Sequence, residues 1–105
     1  MDLVKKALET LPGEIYEAEK RFYEELSRLR ELRIELLTKE SELFRAGKIK
    51  GQSDKVRCMQ LNEYTKDKAY EITRAEFLVD MASTELNRKR NELEATLAIA
   101  KLNTK

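Results

Sequence analysis

Large apolar residues recur at every seventh position through the first half of this chain: Leu8, Ile15, Phe22, Leu29, Leu36 and Leu43. Seven residues is close to two helical turns, so the six form one nearly straight row on a helix. Leu11, Ala18, Leu26, Leu32 and Leu37 broaden that row to the width of a buried helix face. The spacing predicts a first long helix over residues 13–46, roughly 50 Å at 1.5 Å per residue. Gly47 ends it, as the residue that most readily takes left-handed backbone at a helix C-terminus. Ahead of it, Asp2 can cap a short N-terminal helix over 1–12. That helix should break or kink at Pro12-Gly13, because Pro12 has no backbone N–H to donate. The row keeps its phase across this point, so the two pieces are expected in one line.

The second half repeats the pattern. Cys58, Thr65, Ile72, Val79, Leu86, Leu93 and Ala100 again stand seven apart, with Leu61, Tyr64, Ala75, Ala82 and Leu97 beside them. Ser53 is placed to cap a second long helix over 53–102, roughly 75 Å long and free of Pro and Gly. Residues 103–105 read as a tail. The connection, a basic tip over 47–52, is short, which favours antiparallel neighbours. Folding there should set the small Ala75 and Ala82 opposite the bulky Phe22 and Leu26. The expected fold is all-α, a single-domain, long antiparallel helical hairpin of coiled-coil type.

Each helix carries more apolar residues than one stripe uses. At 100° per residue, Met59, Tyr70, Phe77 and Met81 lie far round the second helix from Ile72. Tyr16, Tyr23 and Ile34 lie far round the first from Leu29. Scattered exposed apolar residues are the bland explanation. A partner surface made of Tyr16, Tyr23, Ile34, Met59, Tyr70, Phe77 and Met81 is the sharper one, since Tyr and Met are common in such surfaces. A homodimer pairing two hairpins into a four-helix bundle is the simplest cover, with a higher oligomer or another protein as the alternative.

Composition agrees with long helices: 39% of residues are charged and 41% hydrophobic, with three Gly, one Pro and no Trp. Disorder is set aside because the apolar residues are plentiful and periodic. With 21 basic against 20 acidic side chains, no global field draws in nucleic acid. No apolar run reaches the length of a membrane span, and the expected location is cytoplasmic.

Chemistry is sparse. There is no histidine, the commonest general base and metal ligand at neutral pH. The lone Cys58 excludes an internal disulfide and lacks a His partner. Arg57, Lys55 and a helix N-terminus could activate it, but a small buried hydrophobe is the favoured reading. The carboxylates, including Glu24-Glu25, Glu31/Glu35 and Glu71/Glu76, have basic neighbours at helical spacing such as Arg21, Arg28 and Lys39, the pattern of a solvated face. No glycine-rich phosphate loop, calcium loop or Glu-x-x-His motif occurs. The expectation is no catalytic residue, no metal, no cofactor and no enzyme.

The hairpin tip gathers Arg45, Lys48, Lys50, Lys55 and Arg57 within 13 residues, opposed only by Asp54. Such a patch suits phosphates or an acidic protein surface. It has no stacking aromatic, and basic residues also simply suit the negative end of a helix dipole, the reading preferred here. Arg88-Lys89-Arg90 is a second, more ordinary cluster.

The run Gly47-Lys48-Ile49-x-Gly51, then a polar pair and Arg57, resembles a group of small phage and prophage helical-hairpin proteins generally without an assigned activity. It is flanked by a Leu/Glu-rich helix and by one carrying Leu86-Asn87 and Asn91-Glu92-Leu93-Glu94. The likeness spans roughly residues 26 to 102, with Gln52-Ser53 departing from it. It implies a viral or mobile-element accessory protein acting on a host defence or replication complex or a virion assembly. Two functional expectations follow. The leading one is a non-enzymatic, self-associating helical protein–protein interaction module. The alternative is a nucleic-acid accessory protein contacting phosphates through the tip.

Overall fold

A computed structural model describes residues 2–103. It contains two helices, α1 (Asp2–Arg45) and α2 (Asp54–Asn103), and among the described residues no strand. The helices contribute to two compact units. One is Leu26–Phe77, which contains the connection; the other joins Met1–Glu25 to Leu78–Lys105.

In the unit Leu26–Phe77, the end of α1 and the start of α2 form an antiparallel helical hairpin. Arg33 pairs with Glu76 at 3.5 Å while Glu35 pairs with Lys68 at 2.8 Å, so partner numbers fall on one helix as they rise on the other. Leu29, Leu32, Thr65 and Ala75 are buried between them, with Leu36, Leu43, Leu61 and Ile72 half-buried. In the other unit Lys89 pairs with Glu14 at 3.2 Å and Arg90 with Glu19 at 2.9 Å. Leu11, Ala82 and Leu86 are buried there, beside half-buried Leu8, Ile15, Phe22, Val79 and Leu93.

The protected positions of α2 form two rows at sevens. One is Thr65, Ile72, Val79, Leu86, Leu93 and Ala100; the other is Leu61, Lys68, Ala75, Ala82, Lys89 and Thr96. The second row differs from the sequence expectation, which set Tyr64 and Leu97 beside the first. Both of those are exposed, as is Leu37 on α1. Polar side chains at the right spacing displaced apolar ones at the wrong spacing. Thr65 and Thr96 are accommodated because each hydroxyl donates to the carbonyl one turn back, Leu61 and Glu92, at 2.8 Å. Lys68 and Lys89 bury their stems and keep their ammonium groups on acids.

The helix bounds also differ at the N-terminus. No separate element ends at residue 12, because α1 runs through Pro12. Proline inside a helix removes one hydrogen bond and costs about 3 kcal/mol or more. Leu11, 1% exposed, and the half-buried Leu8 and Ile15 flank it, and their burial offsets the cost of the proline. At the other end Asn103 belongs to α2, while positions 104 and 105 of the expected tail lie outside the described residues.

The connection is closely specified. Gly47 has φ +71°, its N–H donates to the Phe44 carbonyl at 3.1 Å, and the Lys48 N–H donates to Leu43 at 3.0 Å. This six-to-one, five-to-two pair of bonds satisfies the last carbonyls of α1. Ile49 is buried beneath the turn. The Ser53 carbonyl accepts the Arg57 N–H at 3.1 Å, which marks Ser53 as the cap residue of α2.

Burial separates residues that look alike in sequence. Leu86→Ala should lower stability by about 2–5 kcal/mol, and Leu97→Ala by about 1 kcal/mol or less. Urea titration of the two variants followed by circular dichroism checks the contrast.

Candidate functional site: exposed helix faces and a basic tip

Register decides which side chains share a face. Lys68 reaches Glu35, the residue before Leu36, so Leu36 stands level with Lys68. Stepping by seven in opposite directions along the helices then sets Leu29 level with Ala75 and Leu43 level with Leu61. In the other unit Lys89 reaches Glu14, the residue before Ile15, which sets Phe22 level with Ala82. The large-against-small match expected for Phe22 is present there. Ala75 faces Leu29, not Phe22 or Leu26.

All seven residues expected to form a partner surface are exposed: Tyr16, Tyr23, Ile34, Met59, Tyr70, Phe77 and Met81. They do not share one face. On their helical positions, Tyr70 and Phe77 lie on the side of α2 turned from its inner rows, and Met81 lies on the opposite flank from Met59. Tyr16, Tyr23 and Met81 belong to one unit, and Ile34, Met59, Tyr70 and Phe77 to the other. Tyr23 touches its neighbour Phe22 edge to face, ring centroids 5.2 Å apart. Sequence reasoning missed Leu37 and Phe44 as exposed residues, although both continue the sevenfold row of Tyr16 and Tyr23 on α1.

Of the five basic residues assigned to the tip, Arg45, Lys48, Lys50 and Lys55 are exposed. Arg57 is instead part of the loop's own framework. It donates to the Gly51 carbonyl at 3.1 Å and pairs with Asp54. Gln60 completes the clamp by accepting the Lys50 N–H at 2.7 Å. Gly51, at φ +131°, would bring an added Cβ within 3.2 Å of Val56. The tip is a fixed platform carrying four free-facing cations, with Val56 and Met59 exposed close to them in sequence. Phe44, exposed directly before Arg45, corrects the expectation that no aromatic stands beside the patch.

Cys58 is exposed, contrary to the buried position expected for it. In the hairpin register its level lies beyond Arg45, where α1 has ended, so no opposing helix covers it. Among the described residues no three His, Cys, Asp or Glu side chains gather as a metal site. No helix of the described residues is long and apolar enough to cross a membrane. An open groove of about 290 Å³ is lined by Ala18, Arg21, Met81, Ala82 and Glu85 and brings no nucleophile against a base.

Electrostatics follow the ion pairs. The hydrogen bond from Lys68, with its charge, holds the Glu35 carboxyl below its ordinary value, and the same bond raises Lys68. Arg88 does the same for Glu85, donating at 2.8 and 3.1 Å. No family model, curated protein or solved structure matches the chain.

The Glu35–Lys68 pair gives a pH signature. A carboxyl lowered in the folded state stabilises above its unfolded pKa, and that contribution disappears as pH falls through the folded value. The raised Lys68 contributes up to its unfolded pKa and loses that contribution as pH rises through its folded one. Glu35→Gln should therefore lower the urea midpoint at neutral pH and have no effect below the carboxylate range. Denaturation of both proteins across that range measures the difference.

Proposed function

We propose that this chain is a non-enzymatic interaction module that associates with itself and docks on another protein through exposed helix faces. The observation that carries this reading is the set of large apolar side chains left uncovered on ordered helices, Ile34, Leu37 and Phe44 on α1 and Tyr70 and Phe77 on α2 among them. Soluble chains tolerate single exposed apolar residues, but a row of them at helical spacing suits a second helix. The phage-type resemblance around the tip supports an accessory role of this kind.

Engagement of Arg57 within its own loop leaves the nucleic-acid reading with fewer cations than the sequence offered it. Sedimentation equilibrium and binding to random-sequence duplex DNA, each at low and high salt, test the choice. The expected result is a mass above the 12.3 kDa of one chain, kept at high salt, with little DNA binding. A 12.3 kDa particle that binds DNA steeply with salt, and less so after Lys48→Ala and Lys50→Ala, would replace this reading with the phosphate-binding one.

A further inference from the structure

In the unit Leu26–Phe77, the outer side of α1 carries a second seam at alternating spacings of three and four: Ser27, Arg30, Ile34, Leu37, Ser41 and Phe44. At 100° per residue these positions spread from roughly 60° to 180° round the helix from Leu29 and Leu36, and at the heptad's 103° per residue they form two adjacent rows about 50° apart. All six are exposed, with Ile34 and Leu37 at 64% and Phe44 at 51%. No acid interrupts the seam. It has the same period as the inner rows that pack against α2, so it suits a helix of the same kind.

We infer that this seam is the docking face for a second copy of the chain, with the two α1 helices antiparallel about a twofold axis between Ile34 and Leu37. The inference rests on the self-association proposed above and names the face that performs it. Three features select the occupant and its direction. First, the seam is complementary to its own reverse. Ile34 falls opposite Leu37 of the second copy, Ser27 opposite Phe44, and Arg30 opposite Ser41. Large meets small at both ends, and two apolar layers flank the axis.

Second, the flanking charges match. Within this chain's own antiparallel pairing, the residue following an inner-row position meets its counterpart, as Arg33 meets Glu76. The same rule on the outer seam sets Glu31 against Arg45 of the second copy. On the other flank, Arg21 and Glu85 line the same open groove. That relation sets Arg33 against Glu40 of the second copy. The twofold repeats each pair, giving four opposite-charge contacts. Glu40 and Arg45 have no ion pair among the described residues. Third, the parallel alternative fails on the same residues. In register it places Arg30 on Arg30 and Glu31 beside Glu31, like charges that disfavour pairing.

The full-length chain tests this by sedimentation equilibrium and disulfide trapping, with circular dichroism as the folding control. Leu37 is exposed in the single chain, so Leu37→Lys should preserve helicity and raise the dimer dissociation constant at least tenfold. Glu31→Arg should weaken the dimer, and Glu31→Arg with Arg45→Glu should restore it. In a Cys58→Ser background, Ser27→Cys protein mixed with Phe44→Cys protein should give the mixed disulfide in preference to either symmetric one. A dimer indifferent to Leu37→Lys, or symmetric disulfides in preference to the mixed one, would overturn this face while leaving self-association standing. A single-chain mass at every concentration would overturn both.

Discussion

Two lysines, together with a closely specified turn, fix how the two helices of this protein match along their length. A helix built on sevens can slide by seven along its partner and still match apolar to apolar, so leucines alone leave register open. Lys68 and Lys89 occupy inner-row positions three heptads apart, and each reaches a glutamate on α1, Glu35 and Glu14. A slip of one heptad in one direction would bring Lys68 to Glu42 but Lys89 to Arg21. A slip in the other would bring Lys68 to Arg28 and Lys89 to Ala7. Either shift leaves a partly buried ammonium beside a like charge or no charge, a cost the native register avoids. Arg33 with Glu76 and Arg90 with Glu19 reinforce that choice at the exposed edge, where single pairs contribute little on their own.

Register, once set, determines what is left outside. The inner rows take Leu29, Leu32, Ile72 and Ala75 in one unit and Leu11, Ala82 and Leu86 in the other. Everything a third to a half turn away faces water. On α1 this exposes Leu37 and Phe44, apolar residues that the hairpin does not use. Function in such a protein is a property of faces, not of a cleft. The tip belongs to the same logic: its loop is held by Gly47, Gln60 and Arg57, so its cations project from a fixed framework.

Much of this was legible from spacing. The row Leu8 to Leu43, the turn at Gly47, the antiparallel direction and the exposure of Tyr23 and Phe77 all follow from periodicity and from one short connection. What spacing hid was the polar half of the α2 seam. Lys68, Lys89 and Thr96 are not apolar, so Tyr64 and Leu97 looked like better neighbours for Ile72 and Leu93. Position outranked side-chain type because a lysine stem packs and its charge found a carboxylate. Cys58 was misread for the converse reason, since its row is correct but α1 ends before reaching its level. Pro12 was read by its local cost alone, while the burial of Leu11 beside it acts across the helix pair. The division of the seven exposed apolar residues among several faces needed the register, which no single helix contains.

Register is also the claim most open to direct measurement. With Cys58→Ser to remove the native thiol, Leu29→Cys and Ala75→Cys place two thiols at one level of the hairpin, on its two buried inner rows. Mild oxidation followed by mass analysis of non-reduced peptides should find positions 29 and 75 joined within one chain. The pairing of Leu36→Cys with Ala75→Cys, one heptad out of level and with both lysines kept, should stay reduced under the same conditions. A bridge forming as readily between 36 and 75 as between 29 and 75 would show that the helices slide, and the assignment of inner and outer faces would fall with it.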